Sequence, residues 1–97
     1  MPVEILQSKS YEKWFESLRD TQICARINIR VRRLSLGNPG DVRPVGSGVS
    51  ELRVDYGPGY RIYFISRRAT TVILLGGGDK STQRQDVERA IELARNI

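Results

Sequence analysis

The chain has no histidine and only one cysteine, Cys24. Without histidine it lacks the usual general base near neutral pH, the commonest metal ligand, and every Ser-His or Cys-His mechanism. A lone cysteine excludes an internal disulfide and a thiol-rich metal site, and it fits a reduced compartment. No apolar run approaches the length of a membrane span, and no secretory h-region is visible, so a cytoplasmic protein with no membrane role is expected. Lysine is scarce as well: Lys9, Lys13 and Lys80 accompany thirteen arginines. Proton transfer in any enzymatic reading therefore falls to Arg, Lys, Asp, Glu or Tyr.

What is present describes one small basic domain, residues 1–97. A hydrophobic fraction of 39% suffices for one core. The formal charge is +5, carried mostly by arginine. Arginine suits bidentate contacts to phosphate and stacking on bases, so nucleic acid or an acidic protein is the expected partner class. An arginine-rich codon bias is the competing source of the same composition.

Val3 to Leu6 reads as a short strand. Ser8 or Ser10 caps a first helix in which Tyr11, Trp14, Phe15 and Leu18 fall at i, i+3, i+4 and i+7. Asp20 or Thr21 caps a second, with an apolar stripe at Ile23, Ile27, Val31 and Leu34. The short link predicts a helical hairpin. Residues 37–48 have the Gly/Pro content of an ordered loop or lid. Thr70 to Leu75 reads as a buried strand ended by Gly76-Gly77-Gly78. Thr82 with Gln85 resembles a capping box for a last helix carrying Val87, Ala90, Ile91 and Ala94.

The most informative segment is Glu51 to Phe64. Two alternating runs flank Gly57-Pro58-Gly59, a turn between antiparallel strands. A three-residue loop sets Tyr56 opposite Tyr60, Val54 opposite Ile62 and Leu52 opposite Phe64. The even positions then form the apolar face. The odd face has Arg53 opposite Tyr63 and Asp55 opposite Arg61. The expected class is α+β in the order β-α-α-β-β-β-α, with the helical hairpin on one face of a small twisted antiparallel sheet. The odd face, with Arg53, Arg61 and Tyr63, is expected to stay open.

Two arginines on one face can grip a phosphate and stabilise charge developing during its cleavage. The bland alternative is cross-strand ion pairing, Arg61 with Asp55 and Arg53 with Glu51, worth only about 0–1 kcal/mol when exposed. The run Gly76 to Gln83 can present backbone N–H groups to an anion beside Lys80, although its spacing is not that of a Walker A loop. Arg19, Arg26, Arg30 and Arg33 form a helical stripe that can contact RNA or an acidic helix, with a solvated helix face as the default. Trp14 is expected in the core and Cys24 half-buried.

Taken in order, these segments resemble toxins of the RelE/ParE superfamily, nearest the HigB-like branch of phage-related addiction-module killer proteins. The likeness runs from Phe15 and Leu18 through Asp20, Ala25, Ile27, Arg30, Arg33, Leu34, Gly37-Asn38, Gly40-Asp41 and Val45-Gly46. Its most specific part is Glu51-Leu52-Arg53, Gly57 to Tyr63, and Leu75 to Gln83. The resemblance implies a RelE-like, microbial-RNase-like fold, encoded beside a small helix-turn-helix antitoxin, with operator DNA bound only through the complex. It implies a prokaryotic, cytoplasmic, cofactor-free and metal-independent endoribonuclease that cuts mRNA on the ribosome. Attack by a ribose 2′-OH on its own phosphate would leave a 2′,3′-cyclic phosphate and a 5′-OH. By this likeness Arg61 contacts the scissile phosphate, Arg53 is a second cation on the preceding strand, and Lys80 is the candidate acid or base with Asp79 as the alternative base. Arg30, Arg33, Tyr63 and Gln83 are the expected RNA contacts. The chain departs from the pattern in having no tyrosine after Tyr63 and no histidine. Two other functions share the fold: a ParE-like poison of DNA gyrase, and an inactive module that only binds its antitoxin.

Overall fold

The computed structural model describes residues 3–97; Met1 and Pro2 lie outside the described residues. The order is β1 (Glu4–Gln7), α1 (Lys9–Ser17), α2 (Thr21–Ser35), β2 (Val42–Gly46), β3 (Val49–Val54), β4 (Tyr60–Arg67), β5 (Thr71–Gly78), a 3-10 turn (Lys80–Thr82) and α3 (Gln83–Arg95). The strands form one sheet in the order β1-β5-β4-β3-β2. The α+β class is as expected. The sheet is mixed, because β1 runs parallel to β5 while the other neighbours are antiparallel.

Local chemistry explains the helix starts. Ser8 caps α1 by accepting from the Tyr11 N–H at 3.1 Å, and Asp20 caps α2 by accepting from the Gln22 N–H at 2.9 Å. Both use the short polar side chains favoured there. The predicted lid at 37–48 contains a strand instead. β2 pairs with β3 at the sheet edge, with an irregularity between Pro44 and Gly46. Pro44 is tolerated because an edge strand needs donors on one side only.

The hairpin parity holds, but its register differs from the expected one. Leu52 faces Ile62 and Val54 faces Tyr60, so the strands are shifted by two residues and the loop is longer. An even shift keeps every side chain on its expected face. Leu52, Val54, Ile62 and Phe64 are buried with Tyr11, Ile23 and Ile27, and Trp14, Phe15 and Val31 pack around them. Phe64 now opposes Ser50, and Arg53 opposes Arg61.

The odd face is not open. Val49, Tyr63, Ile65 and Leu75 form a second buried cluster under Ala90 of α3, flanked by Val87, Ile91 and Leu93. The protein is thus three layers, α1 and α2 over one sheet face and α3 over the other. An exposed odd face carrying Val49, Ile65 and Ile73 would leave a large apolar area in water, so α3 packs there.

Gly76, Gly77 and Gly78 do not end β5; they are its last three residues. A side chain at Gly77 would collide with the Trp14 ring, and one at Gly78 with the Asp86 carboxylate. The strand is bare because helices press on it from both sides. The predicted capping box is absent too. Thr82 makes no side-chain cap bond, and its hydroxyl donates to Asp86 Oδ2 at 2.6 Å.

Candidate functional site

The two strand arginines meet at the end of the β3–β4 hairpin. Arg53 and Arg61 are direct cross-strand neighbours. Like charges in that position repel, and each guanidinium is drawn to its own carboxylate. Arg61 Nε lies 3.3 Å from Glu51 Oε1, and both side chains are over 90% buried. The Arg61 Nε–H itself is not aimed well enough to form a hydrogen bond. Its Nη1 donates to the Gly59 carbonyl at 2.9 Å. Arg53 Nε lies 3.9 Å from Asp41 Oδ2, and its side chain is one-third exposed (34%). The expected pairings, Arg61 with Asp55 and Arg53 with Glu51, are exchanged for these because of the register shift.

Asp41, Arg53, Val54, Asp55, Gly59, Tyr60 and Arg61 line a cleft of about 210 Å³. Lys80 comes to its rim. The Lys80 N–H donates to the Pro58 carbonyl at 3.4 Å, which fixes the 3-10 turn against the hairpin loop. Gly59, at φ +81°, lies between Arg61 and Lys80. A Cβ there would fall 3.6 Å from Arg61 Nη1 and 3.8 Å from Lys80 Cβ. Arg53 and Arg61 thus share a cleft with Gly59, and the Lys80 backbone lies against the same glycine turn although it is 27 positions from Arg53.

The remaining predicted residues divide. Asp79 accepts from the Ser81 N–H at 2.8 Å and from the Ser81 hydroxyl, as cap of the 3-10 turn. These bonds to Ser81 hold its carboxyl below the usual range, so it is a poor base. Gln83 is half-buried; its Nε2 donates to Glu51 Oε1 at 2.8 Å and holds that carboxylate beneath α3. Tyr63 is fully buried and cannot stack on a base in this conformation. Its hydroxyl has no hydrogen-bond partner among the described residues. Burial first, then the charges of Glu51 and Asp86, push its pKa up.

Arg30 is a tie between elements. Its Nη1 donates to the Arg53 carbonyl at 2.6 Å and its Nη2 to the Pro39 carbonyl at 3.0 Å. Burial, then neighbouring Arg33, lowers its pKa. Arg33 stays exposed on α2. Arg26 lies 4.6 Å from the Tyr56 ring centre, so the expected arginine stripe is divided among separate structural tasks. Sequence reasoning missed Asp41 as a cleft residue and Glu51 as the partner of Arg61. Asp41 sits in a Gly/Pro segment with no periodicity to read, and Glu51 comes diagonal to Arg61 only in the shifted register.

Among the described residues no cluster of His, Cys, Asp and Glu could hold a metal ion. No helix of the described residues is long and apolar enough to cross a membrane. What the arrangement can do is hold an anion between strand-borne cations at the end of a three-layer α+β fold.

Comparison with known proteins places the chain in a family. Residues 13–97 match the family described as phage derived protein Gp49-like (DUF891). The chain belongs to this family of phage-derived Gp49-like proteins. It is 41% identical over 97 residues to an uncharacterized protein of Haemophilus influenzae, covering 100% of this chain and 98% of the relative. The fold is similar to that of a chain in the crystal structure of the toxin–antitoxin complex RelBE2 from Mycobacterium tuberculosis. That likeness has a TM-score of 0.64 at 19% identity, covering 82% of this chain and 100% of the other.

Proposed function

We propose that this protein is the toxin of a type II toxin–antitoxin module, a HigB-like member of the RelE/ParE superfamily, and that it cleaves mRNA on the ribosome without a metal ion. The observation that carries this reading is the directly opposed pair Arg53 and Arg61 at the mouth of a cleft, with Lys80 across Gly59. The Glu51 and Asp41 carboxylates already offset the repulsion between the two guanidiniums, and the one-third exposed Arg53 side chain is the one open to a further anion. A phosphodiester supplies that anion. As the 2′-OH attacks and negative charge grows on the phosphoryl oxygens, both cations stabilise it, Arg53 from the open side and Arg61 from the cleft wall. Asp41, which lines the same cleft, would take the 2′-OH proton. Lys80, whose backbone lies against Gly59, would protonate the leaving 5′-oxygen. Exposed Arg33 adds positive field for the RNA backbone.

The proposed partners are a small helix-turn-helix antitoxin, the ribosome and mRNA, with operator DNA reached only through the antitoxin complex. The protein would act in the cytoplasm. The deciding experiment is induction in bacterial cells followed by mapping of mRNA 5′ ends. Discrete cuts in translated frames, lost in Arg53→Ala, are the expected result. Gyrase-linked DNA breaks with intact mRNA would move the ParE-like reading ahead, and neither lesion would leave an inactive antitoxin-binding module.

A further inference from the structure

β5 outruns its neighbour. The parallel pairing with β1 ends at Gln7 opposite Leu74, where the chain turns into α1, while β5 continues to Gly78. Ser8 makes the last contacts on that side. Its N–H donates to the Leu74 carbonyl and its hydroxyl to the Leu75 carbonyl, both at 3.0 Å. Beyond this point Gly76, Gly77 and Gly78 pair with Tyr63, Ile62 and Arg61 of β4 on one side only. Groups along a strand alternate between its two edges. Counting from the β1-facing Leu74 carbonyl through the bulge at Leu75, the Gly77 N–H and C=O point away from β4.

A groove of about 600 Å³ follows this edge. Trp14 of α1 and Leu18 just beyond its end form one wall, and Asp86, Arg89, Ala90 and Leu93 of α3 form the other. The Asp79 and Asp86 carboxylates that line it have no cationic partner among the described residues, and Arg89 has no anionic one. An unpaired strand edge in a groove of mixed apolar and polar walls is the geometry of strand addition, in which main-chain hydrogen bonds give affinity and alternate side chains fill the walls. The free main-chain N–H and C=O of the edge are satisfied together by another extended backbone and not by a phosphate, which offers acceptors only, so a polypeptide is the occupant.

We propose that this edge receives a short extended segment of the antitoxin. The segment lies beside Gly76–Gly78 in the position that β1 vacates, sets apolar side chains against Trp14, Leu18 and Leu93, and brings a basic residue to Asp86 and an acidic one to Arg89. The inference rests on the toxin reading given above. It puts the antitoxin strand next to the Lys80 turn, so that inhibition comes from a peptide bordering the cleft.

The test uses the full-length protein co-purified with the small protein encoded beside its gene. Amide hydrogen exchange is compared between the free and bound chains. Gly77 should slow by about tenfold or more in the complex. Arg89→Glu should weaken binding of the same protein by roughly tenfold through lost charge complementarity, whereas Arg84→Ala, outside the groove, should leave it unchanged. A complex that forms without any slowing at Gly77, or with protection on β2 instead, overturns the inference and leaves the toxin reading standing. Equal protection of Gly77 by single-stranded RNA alone overturns the choice of a peptide occupant. If no complex forms with the neighbouring protein and induction causes no growth arrest, the toxin reading falls and the inference falls with it.

Discussion

Arg61 and Glu51 form a buried ion pair, 3.3 Å apart and diagonal across the β3–β4 ladder. Removing one partner strands a charge in the interior, which typically costs ~3–5 kcal/mol. Arg61→Ala should therefore fail first as a folded protein, and its loss of toxicity would say little about phosphate binding. The double variant Arg61→Met with Glu51→Leu should recover most of that stability. It should fold and still fail to arrest growth. Chemical denaturation of the two single variants and the double variant checks the coupling.

Arg53 gives the cleaner test of chemistry. Its side chain is partly exposed and its ion pair with Asp41 is long at 3.9 Å. Loss of such a pair costs about 0–1 kcal/mol. Arg53→Ala should fold normally and lower the cleavage rate roughly a hundredfold to a thousandfold. Arg33→Ala is the control, since that side chain is exposed on α2 and should change binding only modestly. Arg30→Ala should instead destabilise the protein by about 1–3 kcal/mol, because two backbone carbonyls lose their donor. In vitro cleavage and thermal melts separate the three.

Tyr63→Phe should leave toxicity intact. The variant removes a buried hydroxyl that has no partner among the described residues, so stability should be unchanged or higher by up to about 1–3 kcal/mol. The pH dependence has a definite sign. A phenol whose pKa is raised by folding contributes stability below its ordinary value, near pH ~10, and loses it as pH rises through the folded value. The wild-type protein should therefore weaken in alkali, and Tyr63→Phe should weaken less. Burial raises the Tyr11 phenol as well, so the variant reduces the loss without removing it. Denaturant midpoints between neutral and alkaline pH check both points.

Gly78 and Asp86 should be energetically coupled. A Cβ at Gly78 would meet the Asp86 carboxylate and come within 3.1 Å of the Thr82 hydroxyl oxygen. Gly78→Ala should cost about 1–3 kcal/mol by overpacking. Gly78→Ala in an Asp86→Ala background should cost less, with a coupling of roughly 0.5–3 kcal/mol. A double-mutant cycle measured by thermal unfolding gives the number.

The amino-acid sequence by itself determined the elements whose signals are local. Helical spacing at Tyr11, Trp14, Phe15 and Leu18 and at Ile23, Ile27, Val31 and Leu34 located α1 and α2, with Ser8 or Ser10 and Asp20 or Thr21 as their starts, of which the structure selects Ser8 and Asp20. Alternation in Leu52 to Phe64 assigned every hairpin residue to its face, since strand side chains repeat every two positions. Those same signals grouped Arg53 and Arg61 on one face. The tertiary structure decided what periodicity does not encode. An even register shift leaves the pattern of faces unchanged, so only the packed sheet distinguished Arg53 opposite Arg61 from Arg53 opposite Tyr63. The amphipathic stripe of α3 reads the same whichever sheet face it covers. Only packing showed that it covers the odd face, burying Tyr63, Glu51 and most of Arg61. A triple glycine reads as a strand end until Trp14 and Asp86 are seen pressing on it from both sides. Local propensity acts through neighbours in the chain, whereas register, layer order and ion-pair partners depend on which distant surfaces bury the most apolar area together.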